Sequence, residues 1–330
     1  MRKFCLMIAA AVAAAAATPE SSAGQAPAKA ANKRLLLVTH SGGFIHGSVA
    51  TAEETLKQVG PANGFDVTCW RFTEDPDKKV KAKTGAERTA LEAYSERFRG
   101  ATKLPVEREN CGRINKETLK NFDVVLFFTT GNPMTKEEIA DLKEWVRNGG
   151  AVAGTHCATD TLYGESVYGD LIGAYFKGHP PGLQKIKVKV EDPKHPAAAG
   201  FTAGMEYQDE MYIFRDAPYS RNKLRIILSI DAASFNPGNN LARKDGDYAI
   251  SWCREEGKGK VFYTSFGHDP KVWKDERFQK HLFGGLKWAT GRGRGQDDLF
   301  AVGAADVFTE QFDPHTHPAT AEWAWEGLSW

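Results

Sequence analysis

Hydrophobic residues along this chain fall into two periods, and the order of the two sets the architecture. Arg34-Leu-Leu-Leu-Val-Thr-His40 and Asp123-Val-Val-Leu-Phe-Phe-Thr129 are apolar at successive positions, the pattern of strands covered on both faces. Gly64 to Arg71 reads as a further strand, and Ala50 to about Val59, with Leu56 and Val59 at helical spacing, as the helix between strands one and two. Thr135-Lys-Glu-Glu138 is a capping box; the helix after it buries Ile139, Leu142 and Val146 and stops at Asn148-Gly149-Gly150. Gly149 to His156 is then a short buried strand feeding a tight turn. Beyond it Tyr168 to Phe176 predicts a short helix. Gln184-Lys-Ile-Lys-Val-Lys-Val190 alternates strictly, so one face is wet and the neighbouring strands are antiparallel. Leu224–Ile230, Tyr248–Cys253 and Lys260–Ser265 predict further strands, and Asp275–Ala289 a closing helix. The sum is an α/β fold: a mostly parallel sheet with helices on both faces and added antiparallel strands.

The rest of the chain frames that domain, expected over residues 34–291 of the 330. Residues 1–24 open with Arg-Lys, pass through an Ala-rich run and close on small residues, the layout of a cleavable export signal. The run Phe4–Ala17 is shorter than the roughly 20 residues a bilayer requires. The expected product is therefore periplasmic or secreted, with no membrane attachment after cleavage. Residues 25–33 read as a linker, 72–115 as a charged surface insertion with a helix around Glu87–Phe98, and 292–330 as an extension carrying Trp323, Trp325 and Trp330. That extension is a candidate arm for a protein partner or for homo-oligomer assembly. With 43 basic against 42 acidic residues the net charge is +1, which argues against nucleic-acid binding. Cys69, Cys111, Cys157 and Cys253 form no CxxC pair and read mainly as buried thiols; a Cys69–Cys111 bridge is open.

Candidate chemistry gathers at strand ends. In open α/β sheets ligands sit beyond the carboxyl ends of the strands, where His46, His156 and His268 all fall. His179 and His195 occupy Pro-flanked turns, and Gln208-Asp209-Glu210-Met-Tyr212 sets two carboxylates beside an aromatic; on an extended chain only one of them faces a pocket. Such a set suits proton transfer beside a sugar carbonyl or glycosidic oxygen. It also suits a divalent metal on His46, His156 and His268, although no compact metal motif such as HExxH is present. Cys157 adjoins the sharp turn, but His156 holds the position where an elbow presents its nucleophile. Ser41-Gly-Gly-Phe lacks the Lys and the glycine spacing of a phosphate loop.

Taken in order, Gly43-Phe-Ile-His46-Gly-Ser48, Gly154-Thr-His156-Cys-Ala-Thr-Asp160-Thr, Phe176-Lys-Gly-His179-Pro, Asp192-Pro-Lys-His195-Pro, Asp209-Glu210-Met-Tyr212 and the run from Gly257 to His268 resemble the trehalose-utilisation, ThuA-like family. The resemblance spans about Arg34 to Gly291. It implies a flavodoxin-like fold similar to class I glutamine amidotransferases and a role in sugar utilisation, with trehalose, other disaccharides or their 3-keto derivatives as substrates. In those amidotransferases the elbow reads Gly-x-Cys-x-Gly; here His156 takes the nucleophile's place and Ala158 the last glycine's, which argues against glutaminase chemistry.

The expectation is an exported enzyme acting on a disaccharide, glycoside or keto-sugar. His156 would be the central base or ligand, with Asp160 and His46 orienting it and His268 as a further catalytic group. His179, Asp209, Glu210, Tyr168, Tyr212 and Ser48 would bind substrate. Two rivals stand beside it: a non-catalytic carbohydrate-binding module using aromatics such as Tyr163, and a scaffold docking a partner through its tail.

Overall fold

The structure, a computed structural model, describes residues 31–81 and 85–291. The expected export signal, most of the linker and the 292–330 extension with its three tryptophans lie outside the described residues. In chain order the elements are β1 (Lys33–Val38), α1 (Val49–Val59), β2 (Phe65–Trp70), β3 (Lys79–Lys81), β4 (Glu87–Thr89), α2 (Ala90–Thr102), α3 (Lys116–Leu119), β5 (Val124–Phe127), α4 (Lys136–Arg147), β6 (Ala151–Thr155), α5 (Ser166–Ile172), β7 (Phe176–Gly178) and β8 (Gln184–Val190). There follow β9 (Glu206–Asp209), β10 (Ile213–Phe214), β11 (Arg225–Ile230), β12 (Ala249–Glu256), β13 (Gly259–Thr264), α6 (Pro270–Lys274) and α7 (Glu276–Ala289).

Among the described residues nine strands form one sheet in the order β2-β1-β5-β6-β13-β12-β11-β8-β9. The first five pair in parallel and the remainder antiparallel. Successive residues of a strand point to opposite faces, so each continuous apolar run splits between two cores. Leu35, Leu37 and Leu126 pack on one side with Leu56 of α1 and Phe283 and Leu286 of α7. Leu36, Val38, Val125 and Phe127 pack on the other with Ile139 and Leu142 of α4 and Leu171 of α5. This is the flavodoxin-like arrangement. The capping box forms as the sequence predicts: Thr135 Oγ1 accepts from the Glu138 amide at 3.3 Å, and Glu138 accepts from the Thr135 amide at 2.9 Å. In β8, Ile186 and Val188 are buried while Lys185, Lys187 and Lys189 face solvent.

Two stretches differ from expectation. Helix α5 ends at Ile172 rather than Phe176, because Gly173 adopts φ 98° and a Cβ there would lie 2.7 Å from Leu224 and Trp252 side chains. Phe176 instead opens β7, which pairs with β10. Residues 72–115 are more than a surface insertion: α2 buries Tyr94 and Phe98, Tyr94 stacks on His40 with ring centroids 4.9 Å apart, and its hydroxyl accepts from the Ser41 amide at 2.8 Å. Cys69, Cys111, Cys157 and Cys253 are all free thiols, so Cys69 and Cys111 are not bridged. Among the described residues no helix is long and apolar enough to cross a membrane.

Candidate functional site

The site is built from three loops at the carboxyl ends of parallel strands, and the sharpest of them presents His156. Leaving β6, the chain has no room for a side chain at position 154, where a Cβ would lie 2.7 Å from Ile172 and 2.9 Å from Ala158. His156 then adopts φ 45°, a left-handed conformation costing about 1–3 kcal/mol in a non-glycine residue. Neighbouring bonds hold it there. The Tyr263 hydroxyl donates to the His156 carbonyl at 2.7 Å, and the Thr155 hydroxyl donates to the Phe266 carbonyl at 2.7 Å. Beneath the ring lies Tyr212, with centroids 4.1 Å apart and the planes tilted by 35°.

The loop after β1 brings His46. Its glycines allow close approach to the β5 end: Gly42 donates to the Thr130 carbonyl at 2.9 Å, Gly43 to the Thr130 hydroxyl at 3.1 Å, and that hydroxyl donates to the Phe44 carbonyl at 2.7 Å. Arg97 of α2 donates to the Gly43 carbonyl at 2.9 Å and also to that of Ser41, tying the loop down from outside. The loop after β13 brings His268. Gly267 turns it at φ 129°, and the buried Asp209 carboxylate accepts from the Gly267, His268 and Asp269 amides at 2.7, 3.3 and 3.0 Å. The Ser48 hydroxyl donates to the Gly267 carbonyl at 2.9 Å, joining the two loops.

His46, His156, His268 and Glu210 converge, each offering an atom within 4.8 Å of every other. His156 Nε2 lies 3.4 Å from Glu210 Oε2 and 3.3 Å from His268 Nδ1, and His268 Nδ1 lies 3.2 Å from the same Glu210 oxygen. His179 Nδ1 is 3.2 Å from the other oxygen of Glu210. The His46 ring stands edge-on to His156 at 4.8 Å. His156 Nδ1 is 2.8 Å from the Ser265 carbonyl, which only accepts, so Nδ1 carries the hydrogen and Nε2 faces the cluster.

The electrostatics follow from this packing. Burial pushes Glu210 up, but hydrogen bonds and charge from His156 and His268 outweigh it and hold the carboxyl well below its ordinary range. The hydrogen bond to Glu210 raises His268 against an opposing burial effect. His46 is pushed down to about 2, first by burial and then by His156 and His268, which makes it a neutral imidazole. Burial raises Asp209, with His156 and the loop amides opposing.

The other expected residues divide. Tyr212 forms the floor and His179 the half-exposed edge, whereas Asp209 and Ser48 act through the loops they brace. Asp160 does not hold His156 through its imidazole Nδ1; that place belongs to Ser265, and burial raises the Asp160 carboxyl beside Tyr163. Tyr168 lies in the core, fully buried, with its hydroxyl donating to the Ala158 carbonyl at 2.8 Å, and so faces no substrate. His195 is likewise buried, accepting from the Ala197 amide at 3.1 Å against Trp288. Cys157 is buried beneath the turn, and burial drives its thiol well above the ordinary range, which removes the nucleophile.

Three features were not legible from sequence. These are the Ser265 carbonyl, the Arg97 clamp, and Phe44, 65% exposed with its ring 4.8 Å from His46. An aromatic after two glycines in a strand-end loop was the available signal for the last. Tyr163, a few residues after the His156 turn, is 39% exposed beneath Arg215, 4.3 Å from its ring. A cleft of about 480 Å³ lined by Arg221, Lys223, Arg225, Arg254 and Trp288 is formed elsewhere, but no comparable cluster of imidazoles and carboxylates converges on it.

The family model described as trehalose utilisation, ThuA, matches residues 34–289. Among solved structures the chain is similar to a ThuA-like protein from Bacteroides uniformis, at 18% identity over 81% of this chain and 95% of that one, with a TM-score of 0.56. It is also similar to a ThuA-like protein from Parabacteroides merdae, at 15% identity over 80% and 92%, with a TM-score of 0.51. At these identities the likeness establishes a shared fold. No curated protein matches the chain by sequence.

Proposed function

Because this chain belongs to the trehalose-utilisation (ThuA) family, we propose that it is an exported enzyme acting on a disaccharide, glycoside or keto-sugar by acid–base chemistry at the His/Glu cluster. The observation that carries the reading is the convergence of His46, His156, His268 and Glu210 within 4.8 Å at the carboxyl ends of the parallel strands. The export part rests on residues 1–24, whose charged start, apolar run and small-residue close match a cleavable signal.

The roles follow from the hydrogen bonds. His156 has its Nδ1 hydrogen fixed on the Ser265 carbonyl, so Nε2 accepts a proton from a carbon beside a sugar carbonyl or from a hydroxyl. The Glu210 carboxylate, 3.4 Å away, stabilises the imidazolium so formed. His268, raised by the same carboxylate, donates to the oxygen on which charge develops. His179 at the open edge exchanges protons with solvent. Phe44 offers an exposed ring beside His46, a surface on which the apolar face of a pyranose packs. Glutaminase chemistry is set aside because Cys157 is buried and its thiol stays protonated.

The test is to incubate the purified mature chain with trehalose and with its 3-keto derivative and to follow products by chromatography and mass spectrometry. Turnover of either supports the reading. Saturable binding without any product transfers the assignment to a carbohydrate-binding module, which the exposed Phe44 ring also suits.

A further inference from the structure

We propose that His156 Nε2, His268 Nδ1, Glu210 Oε2 and the His46 imidazole bind a single divalent first-row transition-metal ion, with zinc the best match. The separations among the first three atoms are 3.3, 3.4 and 3.2 Å. Ligands about 2.0–2.1 Å from a tetrahedral zinc stand about 3.3–3.4 Å apart along each edge, so these atoms already form one face of such a tetrahedron.

Hydrogen placement points the same way. The Ser265 carbonyl occupies His156 Nδ1, so Nε2 is the ring atom that faces the cluster, 3.4 Å from a Glu210 oxygen. Binding a metal ring through one nitrogen while a backbone carbonyl fixes the other is the usual way a ligating histidine is oriented. Asp209 braces the loop that carries His268 through three backbone amides. His46 is buried, has no hydrogen bond to its ring among the described residues, and lies within 4.8 Å of the other ligand atoms. Three imidazoles and one carboxylate favour zinc and its first-row neighbours over calcium or magnesium, which take oxygen ligands. The remaining Glu210 oxygen faces His179 at 3.2 Å, which makes His179 a partner of the ligand rather than a ligand itself.

The metal takes the nitrogen atoms of His156 and His268 to which the proposed function gives proton transfer, so it would replace those two roles while leaving the sugar assignment itself, and it is tested without a substrate. The full mature chain is stripped with chelator and titrated with zinc against a chromophoric competitor, and bound metal is measured by elemental analysis. One equivalent of zinc is expected, with affinity falling by more than about 100-fold in Glu210→Gln and in His268→Ala and by about 10–100-fold in His179→Ala, the range for a residue that braces a ligand. Less than about 0.1 equivalent after zinc addition, or undiminished affinity in both ligand variants, overturns the site. Should either variant fail to fold, cobalt(II) loading of the unsubstituted chain decides: intense visible bands of a four-coordinate ion support the site, and their absence refutes it. Turnover without bound metal would remove this inference and leave acid–base catalysis standing; bound metal without turnover would do the reverse.

Discussion

Replacing Asp209 with alanine separates the scaffold of the site from its chemistry. The carboxylate is fully buried and accepts from the Gly267, His268 and Asp269 amides at 2.7, 3.3 and 3.0 Å. Removing it leaves three donors unsatisfied at about 1–3 kcal/mol each, while the chain is relieved of several kcal/mol of burying a charge. The net expectation is a destabilisation of about 3 kcal/mol, the lost bonds outweighing the relief of burying the charge. His268 loses its position with the loop, so kcat falls further than stability alone explains. Asp209→Asn keeps one acceptor oxygen and should lose about half as much stability. Urea denaturation followed by fluorescence, with turnover measured well inside the folded baseline, checks both parts. A loss under 1 kcal/mol in the alanine variant, with unchanged kcat, would show that the loop holds its own shape and refute the reasoning.

Other expectations follow from the same structure. His40, His195 and His281 are buried and pushed down to about 3, 3 and 4, chiefly by burial. Their folded values lie below the ordinary 6.5, so stability is fully present above that pH and is lost as pH falls through the interval toward 4. The slope approaches about 4 kcal/mol per pH unit for the three together, readable as a falling denaturation midpoint between pH 6.5 and 4.5; a flat midpoint there would contradict it. Cys157→Ala should keep turnover within about twofold, and iodoacetamide should leave Cys157 unlabelled in the folded chain, since buried thiols are inert; rapid labelling coupled to inactivation would restore the thiol as a candidate nucleophile. Phe44→Ala should raise KM about tenfold, with kcat and stability little changed, as expected for one lost stacking surface. An unchanged KM would remove Phe44 from substrate binding.

What could be read from the sequence depended on how local the physics was. Leu35–Val38 and Val124–Phe127 announce strands because both faces are buried, and the Thr135–Glu138 box announces a helix start because its partners are three residues apart. The strand-end rule sufficed to bring His46, His156 and His268 together, because topology alone places those loops side by side. Roles set by distant partners were hidden. Tyr168 and Tyr212 look alike in sequence, yet one donates to Ala158 in the core and the other packs against the His156 ring. Alternation on an extended chain predicts one inward carboxylate for Asp209 and Glu210, but β9 ends at Asp209, so one carboxyl reaches the loop amides and the next the imidazoles. Packing of Tyr94 beneath Ser41, 53 residues away, has no local signature at all.

The central claim is that the imidazole at position 156 acts on a sugar, and it is tested most directly by comparing His156→Ala with the unsubstituted chain in single-turnover reactions on the 3-keto disaccharide, with folding confirmed by circular dichroism. The account predicts a loss of about 10²–10⁴-fold in the chemical step with a native spectrum. Equal rates in the two proteins would contradict it.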